Sequence, residues 1–510
     1  MTSRADAALV ARLRSDLEAC QFSVESLTEL WGEQADAALF RGQRVPALRA
    51  IETVDSPLAT LARAFILGLP VTIPDFTAAM PALGIDGAVA LGLVDYAGSS
   101  DEAQWVVPRL DLRPYSFIDS HGAGEFFIAS DLGELALGHA IPEHHVLGVG
   151  GASMTLSGLM VGDPVGTVLD LGTGCGIQAL HAARHAQHII ATDISERALE
   201  LAALNAELNG VPSIEFRLGS LFEPVSGESV DQVVSNPPFV ITPRTEGVPA
   251  YEYRDGGMVG DALVASVIRG TASHLRPGGT AQMLGNWEYT QTADAFDRIA
   301  EWLEATGLDA WIIEREVQSV EQYAETWIRD GGTRSGTPEF DELYRAWLDD
   351  FEERGVTRVG FGYIALRKPV SGSPSLLRLE RLDGPLGSSA LGATIAASFA
   401  ANDWLVAVGD AIADARLTVS GDVTEERHYW PGAEDPTVMT LRQGGGFARS
   451  YPLDTAVAAV IGACDGELSI RAIVDAIAQL LEVDGVALLV ETLPSIRELV
   501  FAGVLLPPQR

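Results

Sequence analysis

The spacing of apolar and polar positions divides the chain into a central part and two flanks. From Thr167 onward, short apolar runs alternate with stretches that have apolar residues at helical spacing. This alternation predicts an α/β unit with a largely parallel sheet and helices on both faces. The predicted strands are Thr167–Leu171, His188–Thr192, Ser213–Leu218, Val230–Ser235, Thr280–Leu284, Trp311–Ile313 and Val359–Leu366, and the predicted helices are Ile177–Ala186, Ser195–Leu208 and Asp261–Leu275.

Both flanks have mainly helical spacing followed by short strand-like runs. The N-terminal flank predicts helices Ala7–Cys20, Ser26–Trp31 and Pro57–Leu67, strands Val89–Tyr96 and Gln104–Leu110, and a turn at residues 97–100. The C-terminal flank predicts helices Leu453–Cys464, Ser469–Leu481 and Val486–Ala502, followed by an apolar run at residues 504–506. Both flanks resemble winged-helix modules.

These patterns predict an N-terminal module at residues 1–115, a connecting segment at 116–160, a core at 161–368 and a C-terminal module at 375–510. Residues 115–135 are expected to add strands that dock the first module on the core. Residues 318–355 are expected to be a helical insertion, whose aromatic side chains either pack or form a substrate platform. Residues 369–375 are expected to be a linker.

Charge limits the choice of partner. The formal net charge is −36, and Lys368 is the only lysine. Residues 1–150 contain about nine arginines against about twenty acids, and the C-terminal flank is similarly acidic. Because such surfaces repel phosphate, binding of duplex DNA is not expected, and docking or substrate presentation is the favoured role for the flanks.

The three cysteines, Cys20, Cys175 and Cys464, are too widely separated for the disulfide framework of a secreted domain. The N-terminus lacks a signal-peptide pattern, and no run approaches eighteen apolar residues. A cytoplasmic protein without a membrane span is therefore expected. No Cys/His spacing suggests a metal site, and His181, His185 and His188 are interpreted as helix-surface residues rather than ligands.

Two motifs follow predicted strands. Gly172-Thr173-Gly174-Cys175-Gly176 forms a glycine-rich turn between the first strand and its helix, and Asn236-Pro237-Pro238-Phe239 directly follows the fourth strand. A glycine turn alone also describes dinucleotide sites, so its discriminating value is low. The two motifs in this order and spacing are much more specific.

Together the two motifs resemble the class I S-adenosylmethionine-dependent methyltransferases, in the branch that methylates nitrogen and carries Asn-Pro-Pro-Tyr/Phe. The resemblance covers roughly residues 147–367 and implies a Rossmann-like core of seven strands, with the last two forming a hairpin. It also implies S-adenosyl-L-methionine as the cofactor. The residues that it places around the cofactor are Asp170, Gly172, Thr173, Gly174, Cys175, Gly176, Asp193, Ile194, Ser220, Leu221 and Asn236.

The resemblance gives some of these residues specific roles. The glycines let the backbone approach the cofactor, and Asp193 is expected to bind the ribose hydroxyls. Ser220 stands where many relatives carry an aspartate for the adenine amine, so this contact departs from the family pattern; Leu221 is expected to pack on the adenine. Cys175 has no neighbouring base and is not expected to be a nucleophile. The glycines at 148, 150 and 151 form either a cofactor cover or an ordinary turn.

The Asn-Pro-Pro-Phe motif suits the chemistry of a conjugated amine. Such a nitrogen is a poor nucleophile because its lone pair is delocalised. Asn236 Oδ1 and the Pro237 carbonyl can accept its two N–H groups and stabilise the developing positive charge. Pro238 helps to fix the backbone, and Phe239 offers a stacking face. In the following loop, Tyr253 and Arg254 are candidate substrate contacts.

The acceptor stays open between two macromolecules. An exocyclic amine of an RNA base is slightly favoured, because relatives acting on RNA often carry Phe at the fourth motif position. A protein glutamine side chain is the alternative, because residues 193–195 and 231–236 resemble those of release-factor methyltransferases and the chain is acidic. A binding or scaffold protein with a relic core is a third hypothesis.

Overall fold

The computed structural model describes residues 6–98, 104–138, 141–245, 247–249, 251–387 and 391–508. The N-terminal module is mostly helical and carries a small antiparallel sheet of order β1-β3-β2. Its elements are α1 (Ala7–Ala19), α2 (Val24–Trp31), α3 (Glu33–Phe40), α4 (Val45–Ile51), α5 (Pro57–Leu61), a π-helical turn (Ala62–Ile66), β1 (Val71–Thr72), α6 (Ile73–Ala79), α7 (Gly84–Ala90), β2 (Val94–Tyr96) and β3 (Trp105–Pro108).

The predicted strand Val89–Tyr96 is wrong in its first half. Val89 and Ala90 end α7, and Gly92 follows with φ +71°. The Leu93 N–H bonds back to the Ala88 carbonyl at 2.9 Å, which closes the helix before β2 begins. The apolar run is compatible with a strand or a helix, and the left-handed conformation of Gly92 is typical of the end of a helix. Two residues of the predicted turn, 99 and 100, lie outside the described residues.

The connecting segment contains a long hairpin, β4 (Leu110–Asp119) and β5 (Gly122–Asp131), followed by the short α8 (Glu134–Leu137). Two asparagines bind the free edge of β5. Asn205 lies on a core helix at residues 196–208, and Asn209 directly follows that helix. Asn205 bonds to both backbone groups of Ala129, and Asn209 does the same with Phe127, at 2.8–2.9 Å. These side-chain amides dock the hairpin on the core, as the sequence predicted for this segment.

The core is a mixed sheet of eight strands in the order β13-β11-β12-β10-β9-β6-β7-β8. Its pairs are parallel except β10–β12 and β11–β12. The core elements are α9 (Gly151–Leu159), β6 (Val165–Leu171), α10 (Ile177–Ala182), β7 (Ala186–Asp193), α11 (Glu196–Leu208), β8 (Ile214–Leu218), β9 (Val230–Ser235), α12 (Ala262–His274), β10 (Leu275–Thr290), α13 (Ala295–Leu303), β11 (Asp309–Ser319), α14 (Val320–Asp330), α15 (Pro338–Glu353), β12 (Val356–Arg367) and β13 (Leu377–Arg381).

The prediction of seven core strands is one short, although the antiparallel closing pair is confirmed. The eighth strand, β13, comes from residues that the sequence assigned to the C-terminal module, and it pairs in parallel with β11. Glu380 on β13 accepts a hydrogen bond from Trp311 Nε1 at 2.6 Å, and Arg381 pairs with the buried Glu314. The proline- and serine-rich residues before β13 therefore lead into the same sheet.

The C-terminal part begins with a long helix and includes a second small antiparallel sheet, β15-β16-β17, neither of which the sequence predicted. The three predicted helices are present, each within a few residues of its expected limits. The elements are α16 (Leu391–Val408), a 3₁₀ helix (Gly409–Asp414), β14 (Thr418–Val419), β15 (Val423–His428), β16 (Val438–Gln443), β17 (Ser450–Leu453), α17 (Thr455–Gly462), α18 (Ile470–Leu481), α19 (Gly485–Phe501) and β18 (Leu505–Leu506).

One helical stretch in the described residues, Leu391–Asp414, is long and apolar enough to cross a membrane by length and composition alone. This helix is not an uninterrupted apolar run, because Thr394, Ser398, Asn402 and Asp403 lie within it, and the expectation that no run approaches eighteen apolar residues stands. Its polar residues bind the core: Asp403 pairs with Arg367 at 2.6 Å, and Asn402 donates to Ser375 Oγ at 2.8 Å. The helix packs against α9 and α19, and 33% of its apolar window is buried in the protein.

Candidate functional site

The glycine turn lies where β6 ends, at the carboxyl edge of the sheet. Gly172, Gly174 and Gly176 have φ values of +77°, +53° and +86°, in the left-handed region that favours glycine. A Cβ atom on Gly172 or Gly174 would meet nothing within 4 Å, whereas one on Gly176 would lie 3.0 Å from the Ala202 Cβ. The first two glycines therefore keep the turn open, and the third lets α11 pack closely.

Asp170, on β6, holds the turn from behind. Its Oδ2 accepts hydrogen bonds from the Thr173 hydroxyl at 2.6 Å and the Ala179 N–H at 2.9 Å, which ties the strand to α10. Its Oδ1 is buried without a partner among the described residues. Burial raises the pKa of this carboxyl to about 7. The position of Asp170 suits the support of the turn.

Asp193 ends β7 and joins two loops. Its Oδ2 accepts from the Gly174 N–H and its Oδ1 from the Ser195 N–H, both at 2.9 Å. Burial raises its pKa above the ordinary value, against the opposing effect of these backbone donors. Ser195 caps α11 by accepting from the Ala198 N–H at 3.4 Å, as the sequence predicted.

The Asn-Pro-Pro-Phe segment leaves β9 beside the glycine turn. The Ser235 hydroxyl donates to the Leu171 carbonyl at 2.8 Å, so the ends of β6 and β9 are fixed together. Asn236 Oδ1 is buried and has no hydrogen-bond partner in the part of the chain that the structure describes. A buried acceptor of this kind is costly unless a ligand satisfies it.

The loop after the motif is closed by two ion pairs. Arg244 binds Asp255 at 2.8 Å through Nη1, and Arg254 binds Asp330 of α14 at 2.8 Å. The Val240 N–H donates to the Arg254 carbonyl at 2.8 Å, which holds the loop against the motif. Residues 246 and 250 of this loop lie outside the described part.

Arg254 is almost fully buried, with 6% of its surface exposed. Its guanidinium lies over the Tyr251 ring at 4.6 Å, and its Nη1 also donates to the Trp327 carbonyl at 2.7 Å. Its Nε has no partner among the described residues. Tyr253 donates to the same Asp330 at 3.1 Å, and burial raises its pKa. The helical insertion thus anchors both predicted substrate contacts.

The insertion also supports the motif from below. Tyr323 of α14 is buried, and its hydroxyl accepts from the Ile241 N–H at 3.0 Å. Asn286 donates to the same hydroxyl. Tyr323, Trp347 and Phe351 pack together with Val240 and Ile241. These three aromatic residues are packing residues, whereas Trp327 lines the cavity described next.

These segments enclose a cavity of about 430 Å³. Most of the predicted site residues line it, whereas Asp170 and Gly176 lie behind its wall. The predicted residues on the wall are Gly172, Thr173, Gly174, Cys175, Asp193, Ile194, Ser220, Leu221, Asn236, Pro237, Pro238, Phe239, Tyr253 and Arg254. Glycines 148, 150 and 151 are also on the wall, so the segment before the core covers this cavity.

Sequence reasoning missed several lining residues. Gln178, on α10, donates to the Ser153 carbonyl at 2.8 Å, and its buried Oε1 has no partner among the described residues. Its place directly after the glycine turn is a usable sequence signal. Glu252 and Asp330 also line the cavity, but Asp330 comes from the distant α14, and no local pattern indicates it.

Two residues on the cavity wall, Cys175 and Leu221, have unusual properties. Cys175 is buried, and burial raises the pKa of its thiol to about 11, which disfavours the nucleophilic thiolate. Leu221 has φ +47°, an uncommon conformation for a branched side chain. Its neighbour Ser220 lies on the same wall. Strain of this kind is often retained beside binding sites.

The histidines of the core are far from a ligand arrangement. His181 is buried, lies 3.2 Å from the Tyr115 hydroxyl and packs against Phe117. Burial lowers its pKa to about 4. It is therefore a core residue, and its prediction as a helix-surface residue is wrong. Among the described residues, no group of three or more His, Cys, Asp or Glu could hold a metal ion.

The core that carries this cavity and the two flanks match known protein families. Residues 150–301 match the methyltransferase small domain. The flanks, at residues 19–104 and 396–507, match two domains of unknown function, DUF7059 and DUF7782.

The chain is similar to the release factor glutamine methyltransferase of Cereibacter sphaeroides, with 44% identity over 128 residues, which are 23% of this chain and 45% of that protein. It is also similar to the ribosomal protein uL3 glutamine methyltransferase of Bradyrhizobium diazoefficiens, with 35% identity over 122 residues, 22% of this chain and 38% of that protein. The chain thus spans less than half the length of these relatives.

Among solved structures, the T. thermophilus 16S rRNA N2 G1207 methyltransferase, in complex with AdoMet and guanosine, matches at 18% identity. The match covers 48% of this chain and 60% of that one, with a TM-score of 0.28. This TM-score is too low for the likeness to bear on function.

Proposed function

We propose that this protein is an S-adenosylmethionine-dependent N-methyltransferase whose acceptor is the side-chain amide of a protein glutamine. The observation that carries the proposal is the buried, unpartnered Oδ1 of Asn236 in the cavity beside the glycine turn. The match of residues 150–301 to the methyltransferase small domain supports the reaction class, and the glutamine methyltransferases among the relatives support the acceptor.

The residues present fit the cofactor. Gly172 and Gly174 leave open space at the turn, and the carboxylate of Asp193 faces the same cavity. Asp193 accepts hydrogen bonds from the backbone N–H groups of Gly174 and Ser195, and its carboxylate has further lone pairs that suit the hydroxyls of a ribose. Gln178 Oε1 is a free buried acceptor among the described residues and suits an ammonium group. S-adenosylmethionine supplies an electrophilic methyl group.

Asn236 and Pro237 prepare the nitrogen that receives the methyl group. An amide nitrogen is planar, and its lone pair is shared with the carbonyl. When Asn236 Oδ1 and the Pro237 carbonyl accept its two N–H groups, the nitrogen is fixed in place and its developing positive charge is stabilised. Because no protein group among the described residues occupies this acceptor, the substrate can bind Oδ1 without breaking a hydrogen bond within the protein.

Arg254 completes the recognition of an amide. Its unpartnered Nε is a buried donor on the cavity wall, and the carbonyl oxygen of a carboxamide is a matching acceptor. Phe239 packs against Phe361 with ring centroids 5.5 Å apart and gives the planar group an apolar face. Tyr253 lies beside Arg254 on the same wall.

Charge favours a protein acceptor over RNA. With a net charge of −36, the chain repels a phosphate backbone over most of its surface. An exocyclic amine of an RNA base is the second candidate, supported by the stacking face of Phe239. The flanks are proposed to present the acceptor; the order β1-β3-β2 with α5–α7 supports a winged-helix interpretation of the first flank. Action on the translation machinery would place the protein in the cytoplasm.

The test is transfer of a radiolabelled methyl group from S-adenosylmethionine into an extract of a strain that lacks the protein. The proposal expects label in protein, recovered as methylglutamine after complete digestion. Label in RNA would replace the acceptor with the second candidate. Absence of both cofactor binding and transfer would support the scaffold hypothesis instead.

A further inference from the structure

A second cavity, of about 530 Å³, adjoins the first. It lies between α2 and α3 of the N-terminal module on one side and the β4–β5 hairpin on the other, with α9 at its end. Its walls are mostly apolar and include Trp31, Leu39, Ile66 and Ile128. The methyltransferase small-domain match begins only at residue 150, so this space is built largely by residues outside that match.

The two cavities share a wall. His145, Leu147, Gly148 and Gly150 line both, and all four belong to the segment that precedes the core. When one group of a ligand lies in the first cavity beside this segment, adjacent groups of the same ligand can therefore reach the second cavity. Leu147, on the shared wall, is 44% exposed.

Large apolar side chains stand exposed at the second cavity. Phe40, the last residue of α3, is 83% exposed, and Met154 of α9 is 46% exposed. Neither residue lines the first cavity. Exposed aromatic and methionine side chains around a concave apolar surface are typical of a site that binds apolar groups of a partner.

The charged groups on the same wall are mainly acidic. They are Asp36, Asp111 and Asp131 against Arg113. Asp36 accepts from Trp31 Nε1 at 3.2 Å, Asp111 pairs with Arg113 at 2.8 Å, and Asp131 pairs with Arg197 at 2.9 Å. Because arginines pair with two of the three acids, the wall carries little net charge, which suits an apolar part of a polypeptide.

We propose that the second cavity is the docking site for an apolar side chain of the protein acceptor, on the segment that flanks the methylated glutamine. The proposal rests on the proposed function above. The continuity of the two cavities through the wall at residues 145–150 assigns the occupant to the same molecule that enters the first cavity. In this arrangement, the N-terminal module selects the acceptor while the first cavity positions the reacting amide.

The experiment compares the full-length protein with the double variant Phe40→Ser/Met154→Gln. The matched control is Leu480→Ser/Val490→Gln, which removes apolar side chains that are 83% and 67% exposed on the C-terminal helices. The acceptors are purified, unmethylated release factor and ribosomal protein uL3, each also tested as a short peptide around its glutamine. Calorimetry checks S-adenosylmethionine binding, and thermal unfolding checks folding. The single variant Phe40→Ser serves if the double variant unfolds.

The proposal expects KM to rise at least tenfold in the double variant, both for the intact acceptor and for the short peptide that carries the same flanking segment, with kcat and cofactor affinity unaffected. The control should match the wild type. If the wild type methylates either protein and the double variant has the same KM, the docking site is overturned and the proposed function stays intact. No transfer into either protein overturns both.

Discussion

The backbone N–H of Gly174 donates a hydrogen bond to Asp193 Oδ2 over 2.9 Å. This contact joins the end of β7 to the middle of the glycine turn, and the other oxygen of Asp193 binds the start of α11 through Ser195. The proposed ribose contact and the shape of the turn therefore depend on one carboxylate.

Replacing Asp193 with alanine should weaken S-adenosylmethionine binding by about 1.5–3 kcal/mol, the usual contribution of hydrogen bonds to a charged group. Loss of the tie to Gly174 adds to this effect. Asp163→Ala, at an exposed position before β6, is the matched control and should bind normally. Calorimetry measures both; a folded Asp193→Ala protein with unchanged affinity would remove Asp193 from the cofactor site.

Asp170 should make stability depend on pH. Its pKa is about 7 when folded and near 3.8 when unfolded, so the folded state holds the extra proton between these values. Its stabilising contribution is full below about pH 4 and is lost as pH rises through about 7, by up to about 4 kcal/mol at 1.36 kcal/mol per unit.

Asp170→Asn keeps an acceptor for Thr173 and Ala179 but cannot ionise. Urea unfolding at pH 5 and pH 7.5 should therefore show the variant gaining stability relative to the wild type at the higher pH. Exposed Asp163→Asn serves as the control and should follow the wild type. Parallel pH profiles for the wild type and Asp170→Asn would contradict this, because they would show that Asp170 is already ionised at pH 5 in the folded protein.

Tyr323→Phe should impair turnover without affecting cofactor affinity. The change leaves the Ile241 N–H and the Asn286 amide without their shared acceptor, at a cost of about 1–3 kcal/mol in unfolding free energy. The loop after Phe239 then loses its support. Tyr344→Phe, on the partly exposed face of α15, is the control. Equal stability and kcat in the two variants would mean that the Tyr323 hydroxyl does not position the motif.

The full-length protein should not bind duplex DNA at physiological salt, because both flanks and the whole chain are acidic. A gel-shift titration with random-sequence duplex at two salt concentrations measures this. Micromolar binding that weakens steeply with salt would reveal a basic surface that composition conceals.

Much of the core was predictable because local pattern and fold agree there. Val230–Ser235 is a strand with the predicted limits, and Ser195 caps α11 as expected. The eighth strand was not predictable, because residues 377–381 alternate leucine with charged residues and follow a linker-like stretch. Their place depends on partners far along the chain: Glu380 binds Trp311, and Arg381 binds Glu314.

The sequence indicated several residues at strand ends that line the cavity, among them Gly172, Gly174, Asp193 and Asn236. It did not indicate the geometry of the cavity. Asp170 is conspicuous in sequence, yet it lies behind the cavity, whereas Asp330 reaches the cavity from an insertion. The burial of Asn236 Oδ1 without a partner among the described residues is likewise a property of the folded structure that the sequence does not indicate.

The measurement that tests the central claim most directly is the single-turnover rate of methyl transfer by Asn236→Ala. Phe239→Tyr, which keeps the aromatic face, is the companion variant, and calorimetry measures cofactor affinity in both. In the proposed function, Asn236 Oδ1 stabilises the charge that develops on the nitrogen, so its loss should lower the rate on the order of a hundredfold or more with cofactor affinity nearly unchanged. Phe239→Tyr should be much milder. A full single-turnover rate in a folded Asn236→Ala protein would contradict the assignment of this motif to an amino group.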